Sequence, residues 1–292
     1  MLNANGVKAI DYLRVQGTAS RKEPRCGVFF KVKKGSHAMI KAISLNLRIA
    51  KNAEQHNQGI REPRIAAFVH DVRPATLGVQ ECSDFWRDRL DATLSGYIRV
   101  QPNQEIPETF KNYIFYDPDA VKLIDGGRFY LSETPDEISK GFGSRFYISC
   151  GWGIFEALDT GKQFVHMNCH LDAFLEEARK CEIAVLLERA RELAKKYPVI
   201  ITGDFNSRES SIIYEALVNC PFLYDFRNGL PSPEITHTFN GYLSEDEEPQ
   251  KRYIIDYGFV NDKLTPISYN VIDKWAGGYM SDHNALVFDF EI

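Results

Sequence analysis

The sequence predicts a mixed α/β domain of the α+β kind, with antiparallel-rich sheets covered by helices. Three observations lead there. Apolar strand-like runs and longer amphipathic runs are interleaved without a regular strand–helix rhythm, which argues against a barrel of parallel strands. Several neighbouring strand-like runs are joined by tight turn sequences, such as Asp159-Thr160-Gly161-Lys162. The 292 residues also show no short repeat, no low-complexity tract and no linker, so residues 39–292 read as a single domain.

Residues 1–38 read as an N-terminal extension. Within it, "GVFFKVKKGSHAM" is either a short strand and turn or a stretch ahead of a natural start at Met39. "MIKAISLNLRIA" (39–50) is then an apolar strand ending at Asn46. Ile60, Ile65, Ala66, Phe68 and Val69 have helical spacing, and Pro74 closes that segment. "ATLGVQ" is a strand delivering Glu81, and "DFWRDRLDATL" a second helix. "NYIFYDPDAVKLIDGGRFYLSET" reads as a hairpin turning at Asp117-Pro118-Asp119. "RFYISCGWGIFEAL" and "KQFVHMNCHLDA" are two further strands. A long amphipathic helix follows, with Leu175, Ala178, Cys181, Val185, Leu186 and Leu193 on its apolar face. Residues 198–202 form a buried strand that Gly203 breaks, and a short helix runs from about Ser211 to Asn219. "SEDEEPQKR" (244–252) is a solvated loop, and "YIIDYGFV" and "NALVFDFEI" are the last strands. In the latter, Leu286, Phe288, Phe290 and Ile292 alternate with Ala285, Val287, Asp289 and Glu291.

The bulk numbers narrow the function classes. A hydrophobic fraction of 44% and a charged fraction of 26% are ordinary for a globular protein with a sizeable core. A net charge of −5 supplies no global basic field for a long polyanion, so a nucleic-acid substrate would be short or held in a local basic groove. Cys26, Cys82, Cys150, Cys169, Cys181 and Cys220 form no C-x-x-C pair and no zinc spacing. Reduced, buried thiols in a cytoplasmic protein are the expected reading. No apolar run approaches the ~20 residues of a membrane span. No protein partner is indicated.

Polar residues gather where apolar strands end: Asn46, Glu81, His170, Asp204 with Asn206, Asp256 and Ser281-Asp282-His283. Along "VHMNCHLD", His166, Asn168, His170 and Asp172 share one strand face. Each has a plain structural reading taken alone: Asn46 or Glu81 as a strand-end cap, His170 as a satisfied core histidine, Asp282 as a turn former. Asp256 resists that reading, because a carboxylate among apolar residues must be paired or strongly shifted in pKa. The coincidence at strand ends carries the weight, since loops on a rigid scaffold are where chemistry is placed.

In order, "SLNLR", "GVQE", "NCHLD", "GDFNS", "IDYGF" and "SDH" resemble the endonuclease/exonuclease/phosphatase superfamily, whose fold is that of deoxyribonuclease I. The resemblance runs from about residue 39 to the end. "GDFNSRESSIIYEAL" and "RFYLSETP" look most like compact bacterial members related to deadenylases of the carbon-catabolite-repressor type. The tryptophan-cysteine-aspartate-arginine signature of inositol polyphosphate 5-phosphatases is replaced by "YIIDYGF". "NCHLDA" also departs from the commoner form, which has Thr before the His and a second His after the Asp.

The resemblance implies a four-layer αββα sandwich and Mg²⁺- or Mn²⁺-dependent hydrolysis of a phosphoester, on a small molecule or short nucleic acid. Glu81 would hold the metal with Asn46 and Asp282 close by, which suits a hard cation that takes oxygen ligands. Asp204 and Asn206 would orient water and phosphate. His283, paired with Asp256, would be the general base, and His170 would donate to a phosphate oxygen. Arg145 and Asn168 would contact substrate. A phosphodiesterase leads. A phosphomonoesterase on a small metabolite and a non-catalytic phosphate-binding module are the rivals, and the intact catalytic set weighs against the last.

Overall fold

The computed structural model describes residues 37–49, 54–103, 111–243 and 251–292. Most of the extension read over 1–38 and of the loop read over 244–252 lies outside the described residues. In chain order the elements are β1 (Met39–Asn46), α1 (Gln58–Val72), β2 (Thr76–Gln80), α2 (Asp84–Thr93), β3 (Ile98–Arg99), β4 (Tyr113–Tyr116), β5 (Val121–Tyr130), β6 (Ser149–Ala157) and β7 (Gln163–His170). There follow α3 (Glu176–Ala194), β8 (Val199–Asp204), α4 (Ile212–Val218), β9 (Tyr224–Asp225), β10 (Asp256–Val260), β11 (Thr265–Ile272), the ribbon β12 (Lys274–Trp275) and β13 (Gly278–Tyr279), and β14 (Ala285–Glu291).

The strands form two six-stranded sheets, ordered β11-β14-β1-β2-β4-β3 and β5-β6-β7-β8-β10-β9. Both are mixed: β1 with β2 and β7 with β8 run parallel, and the other pairs are antiparallel. Three apolar cores define four layers. Ile65, Phe68, Trp86 and Leu90 of α1 and α2 pack on the outer face of the first sheet against Leu45, Val79 and Phe115. Ile183, Leu187, Ala190 and Leu217 of α3 and α4 cover the second sheet against Val165, Met167 and Ile201. Between the sheets lie Ala42, Ile114, Phe155, Phe164, Ile200, Phe288 and Phe290. This is the αββα sandwich, and the alternation read in β14 is its cause: Leu286, Phe288 and Phe290 point into the central core while Ala285 and Val287 face the helices.

The structure corrects the reading in several places. The expected hairpin at Asp117–Asp119 does not form, because β4 and β5 belong to different sheets. The turn there is a crossover: Asp117 N bonds Ala75 O in one sheet and Leu158 N bonds Ala120 O in the other. The buried face of α3 is rotated from the expected one, with Glu182, Ile183 and Leu187 buried and Cys181 and Val185 only half-buried. That rotation brings the Glu182 carboxyl onto the Asp172 N–H at 2.9 Å. Strand β8 continues through Gly203 to Asp204, because β7 and β10 pair with it on both sides. Asp256 starts β10 rather than interrupting it. The whole of β11 was missed: its residues are only partly buried at an edge, which weakens the alternation signal.

Candidate active site

Register places the ionisable groups. His170 stands beside Asp204 in the parallel β7–β8 pair, and Asp204 beside Asp256 in the antiparallel β8–β10 pair. Three titratable residues thus form one row across the mouth of the second sheet. Gly203 permits this: its φ is 149°, and a Cβ there would come within 2.0 Å of the Cys169 carbonyl oxygen. Past it, Phe205 is buried among core aromatics, with its N–H bonded to Ile255 O at 2.8 Å. Asn206 adopts φ 47°, a left-handed conformation that Asn tolerates, and its N–H bonds Asp204 Oδ1 at 2.8 Å. In the first sheet, Asn46 ends β1 in register with Gln80, and Glu81 turns out of β2 at φ 52°.

The two rows meet through Asn46. Its Nδ2 donates to Asp204 Oδ2 at 3.0 Å and to Glu81 Oε1 at 3.2 Å, across the sheet-to-sheet gap. Glu81 Oε2 accepts from Ile49 N at 2.7 Å. Asp204 Oδ2 also faces His170 Nε2 at 3.5 Å and His283 Nε2 at 3.8 Å. His283 Nδ1 lies 3.0 Å from Asp256 Oδ2, and both residues are buried. Asp282 joins through Arg48, whose Nη1 is 2.9 Å from Asp282 Oδ2 and whose N–H bonds Asn46 Oδ1.

The electrostatics follow from this packing. Burial pushes the Asp256 carboxyl up to about 6, against the pull of His283. Burial also opposes charge on His283, but Asp256 and Asp204 outweigh it and hold the imidazole well above its ordinary value. Burial works to raise Glu81 as well. It is outweighed by the imidazoles of His170 and His283, the Ile49 N–H and the Asn46 amide, so the carboxyl sits below its usual range.

Asp204, Asp256 and His283 each offer an atom within 4.8 Å of the others, which is close enough to hold a cation. In that trio the imidazole is already bonded to a carboxylate, the arrangement of an acid–base pair. The donors around Glu81 suit a hard divalent ion better. Glu81 is a partly exposed carboxylate with spare lone pairs; Asn46 turns its Nδ2 to it and its Oδ1 to the Arg48 N–H, and Asp282 is reached through Arg48.

Asn46, Glu81, His170, Asp204, Asn206, Asp256, Asp282 and His283 are therefore brought into one cluster, with His170 and the His283–Asp256 pair facing Asp204 at 3.5 and 3.8 Å. Asn168 is not part of it. It is fully buried between the sheets, with Nδ2 bonded to Val79 O and Tyr113 O and Oδ1 bonded to Gln80 Nε2, so nothing remains for a substrate. Arg145 is exposed, and its carbonyl is taken by Lys140 Nζ at 2.6 Å. Among the described residues nothing ties its guanidinium to the site.

Sequence reasoning missed several supports. Arg61 is wholly buried and donates to the carbonyls of Leu47, Arg48, His56 and Met280, tying the loop after β1 to the segment before Asp282. Its signal was available: Arg61 falls four residues before Ile65, on the apolar face of α1. Thr238 Oγ1 accepts from Ile255 N and Asp256 N, each at 3.0 Å, and the Phe239 ring meets the His283 imidazole edge-on. Nothing local in "ITHTFNGY" announces either role.

The family model of the endonuclease/exonuclease/phosphatase family matches residues 53–283. A crystal structure of an endonuclease/exonuclease/phosphatase from Bacteroides vulgatus superposes with a TM-score of 0.79 at 25% identity, covering 87% of this chain and 99% of that one. A mannosyl-6-phosphatase from Bacteroides thetaiotaomicron superposes with a TM-score of 0.76 at 29% identity, covering 86% and 99%. Among curated proteins, a probable Ccr4 exoribonuclease subunit of the CCR4-Not complex from Vairimorpha ceranae is 26% identical over 163 residues, 48% of this chain. The match spans only 34% of that relative's length. With the family model matching well over half of its length, and the fold and strand-end motifs in agreement, the chain belongs to the endonuclease/exonuclease/phosphatase family.

Proposed function

We propose that the protein is a Mg²⁺- or Mn²⁺-dependent phosphoester hydrolase, acting as a phosphodiesterase on a small or short substrate. The observation that carries this is the continuous bonded line Glu81–Asn46–Asp204, with His283–Asp256 facing Asp204. Glu81 would hold the divalent ion, with Asn46 and Asp282 around it. Bound there, such an ion polarises a phosphoryl oxygen and neutralises developing charge. Asp256 fixes the His283 ring at Nδ1, so that Nε2 faces Asp204 at 3.8 Å; with the carboxylates that raise the imidazole offset by a divalent ion nearby, Nε2 would be free to take a proton from a water beside the pair. Asp204 orients that water. His170, half-buried at the rim, would donate to a phosphate oxygen, and Asn206, whose Nδ2 already donates to Leu171 O at 2.9 Å, would offer its second amide N–H.

A phosphomonoesterase is the second reading. It is favoured by the likeness to the mannosyl-6-phosphatase, which extends over nearly all of that protein. A panel of bis-p-nitrophenyl phosphate, p-nitrophenyl phosphate, oligonucleotides and phosphoinositides, run with Mg²⁺ or Mn²⁺ and with EDTA, separates the two. Release from the diester, lost in EDTA, is expected. Turnover of the monoester alone would move the assignment to the second reading, and no turnover of any ester would contradict both. No helix of the described residues is long and apolar enough to cross a membrane. The five described cysteines are free thiols, which fits a reducing compartment, and we place the protein in the cytoplasm.

A further inference from the structure

A cavity of about 420 Å³ lies beside the catalytic residues, and no role described so far uses it. Three chain segments wall it, and each leads directly from the site. Arg208 and Glu209 follow Asn206, His237 precedes Thr238, and Arg252 and Tyr253 run up to Asp256. The Phe239 ring lies between this cavity and the general base. It stacks on Tyr253 with centroids 5.0 Å apart and meets His283 edge-on at 5.1 Å. One aromatic ring therefore separates the cavity wall from the His283 imidazole.

The lining is built for an anion. The Arg208 guanidinium lies 4.2 Å over the Tyr253 ring, and among the described residues no carboxylate pairs with it. An arginine laid on an aromatic face has its orientation fixed while its N–H edges stay open, the planar fork that matches phosphate. Arg252 adds a second cation to the wall. Its positive charge adds to burial in depressing the His237 pKa. Among the described residues the one acidic group in the lining is Glu209, which accepts from Arg227 Nη2 at 2.8 Å. The volume exceeds what a lone phosphate needs and is in the range of small-molecule pockets. It has room for a sugar that carries the phosphate.

We propose that this cavity binds a second phosphate of the substrate, on the group attached to the scissile ester, with Arg208 as its main ligand. The inference rests on the phosphoester-hydrolase reading and narrows its substrate class to compounds with two phosphates.

The test uses two chromogenic diesters, thymidine 5'-(p-nitrophenyl phosphate) and the same ester carrying a 3'-phosphate, with bis-p-nitrophenyl phosphate as reference. The 3'-phosphate should raise kcat/KM of the wild type. Arg208→Gln should remove that advantage, a loss of about ten- to a hundredfold on the 3'-phosphorylated ester, the range of a charge-assisted hydrogen bond. Bis-p-nitrophenyl phosphate turnover should stay within about twofold, since Arg208 lies outside the catalytic group. Arg208→Lys should keep part of the advantage, because it keeps the charge and loses the fork. Calorimetric titration in EDTA with thymidine 3',5'-bisphosphate and thymidine 5'-monophosphate reads the cavity without turnover. The bisphosphate should bind more tightly to the wild type and equally with the monophosphate to Arg208→Gln. If the wild type hydrolyses no ester, the activity reading fails and the titration alone decides the cavity. An advantage that is absent in both assays, or that survives Arg208→Gln, overturns the proposal.

Discussion

His166, Asn168 and His170 share one face of β7, two residues apart, yet they do different work. His166 lies between Thr76 Oγ1 at 3.0 Å and Thr202 Oγ1 at 2.8 Å, and burial pushes its pKa down to about 3, so it stays neutral. Asn168 is saturated by three protein groups and crosses over Gly78, where a Cβ would come within 2.8 Å of its side chain. His170, one step further, reaches Asp204 at 3.5 Å and keeps part of its ring at the surface. The same strands supply both clusters. A polar residue whose bonding capacity is filled by the protein fastens the sheets together, and one with capacity to spare is available for chemistry.

The largest effects should come from the mouth. His283→Ala and Asp256→Asn should each cost roughly a hundred- to ten-thousandfold in kcat, as for loss of general-base catalysis. Because Asp256 acts through the imidazole, the double variant should be little worse than the worse single one. Additive losses in a double-mutant cycle on kcat would separate the two residues and leave Asp204 as the base.

Glu81→Gln comes next. Removing the charge should lower turnover by on the order of a hundredfold and raise the metal concentration needed for half-activity. The unfolding midpoint should barely move, since Glu81 is partly exposed. Wild-type turnover at low Mg²⁺ would show that the cation is held elsewhere.

How much of this was legible in the sequence follows the same division. The mouth residues were readable because each stands where an apolar strand stops, a pattern visible in one dimension. Asn168 was expected to contact substrate; it shares a face with His170, and the strand period cannot say which face residues are closed over by a second sheet. The 117–119 crossover looked like a hairpin because turn residues specify a local reversal and not the sheet that the next strand joins. Thr238 acts through the backbone N–H groups of a distant segment, which leave no trace in local spacing, whereas Arg61 could have been noticed as a charge on the apolar face of α1.

A smaller effect concerns the other face of the second sheet. Glu182 is buried on α3 and burial raises its pKa from 4.5 to about 8. The folded state holds that proton more tightly than the unfolded chain. The resulting stability is fully present below about 4.5 and is lost as pH rises towards 8. Glu182→Gln keeps an acceptor for the Asp172 N–H and removes the titration. Its unfolding midpoint should exceed the wild type's by a few degrees at pH 7.5, with the gap closing by pH 5. A gap that is constant with pH would show that Glu182 is ionised in the folded protein.

The most direct test sets Asn168→Ala beside His170→Ala, with urea unfolding and kcat measured on both. Asn168→Ala leaves two buried carbonyls without their donor, so stability should fall by on the order of 2–4 kcal/mol while turnover per folded molecule stays near the wild type. His170→Ala should do the reverse, losing a hundredfold or more in kcat with a nearly unchanged midpoint. An Asn168→Ala protein of wild-type stability that has lost its turnover would contradict the division between strut and catalyst on this strand.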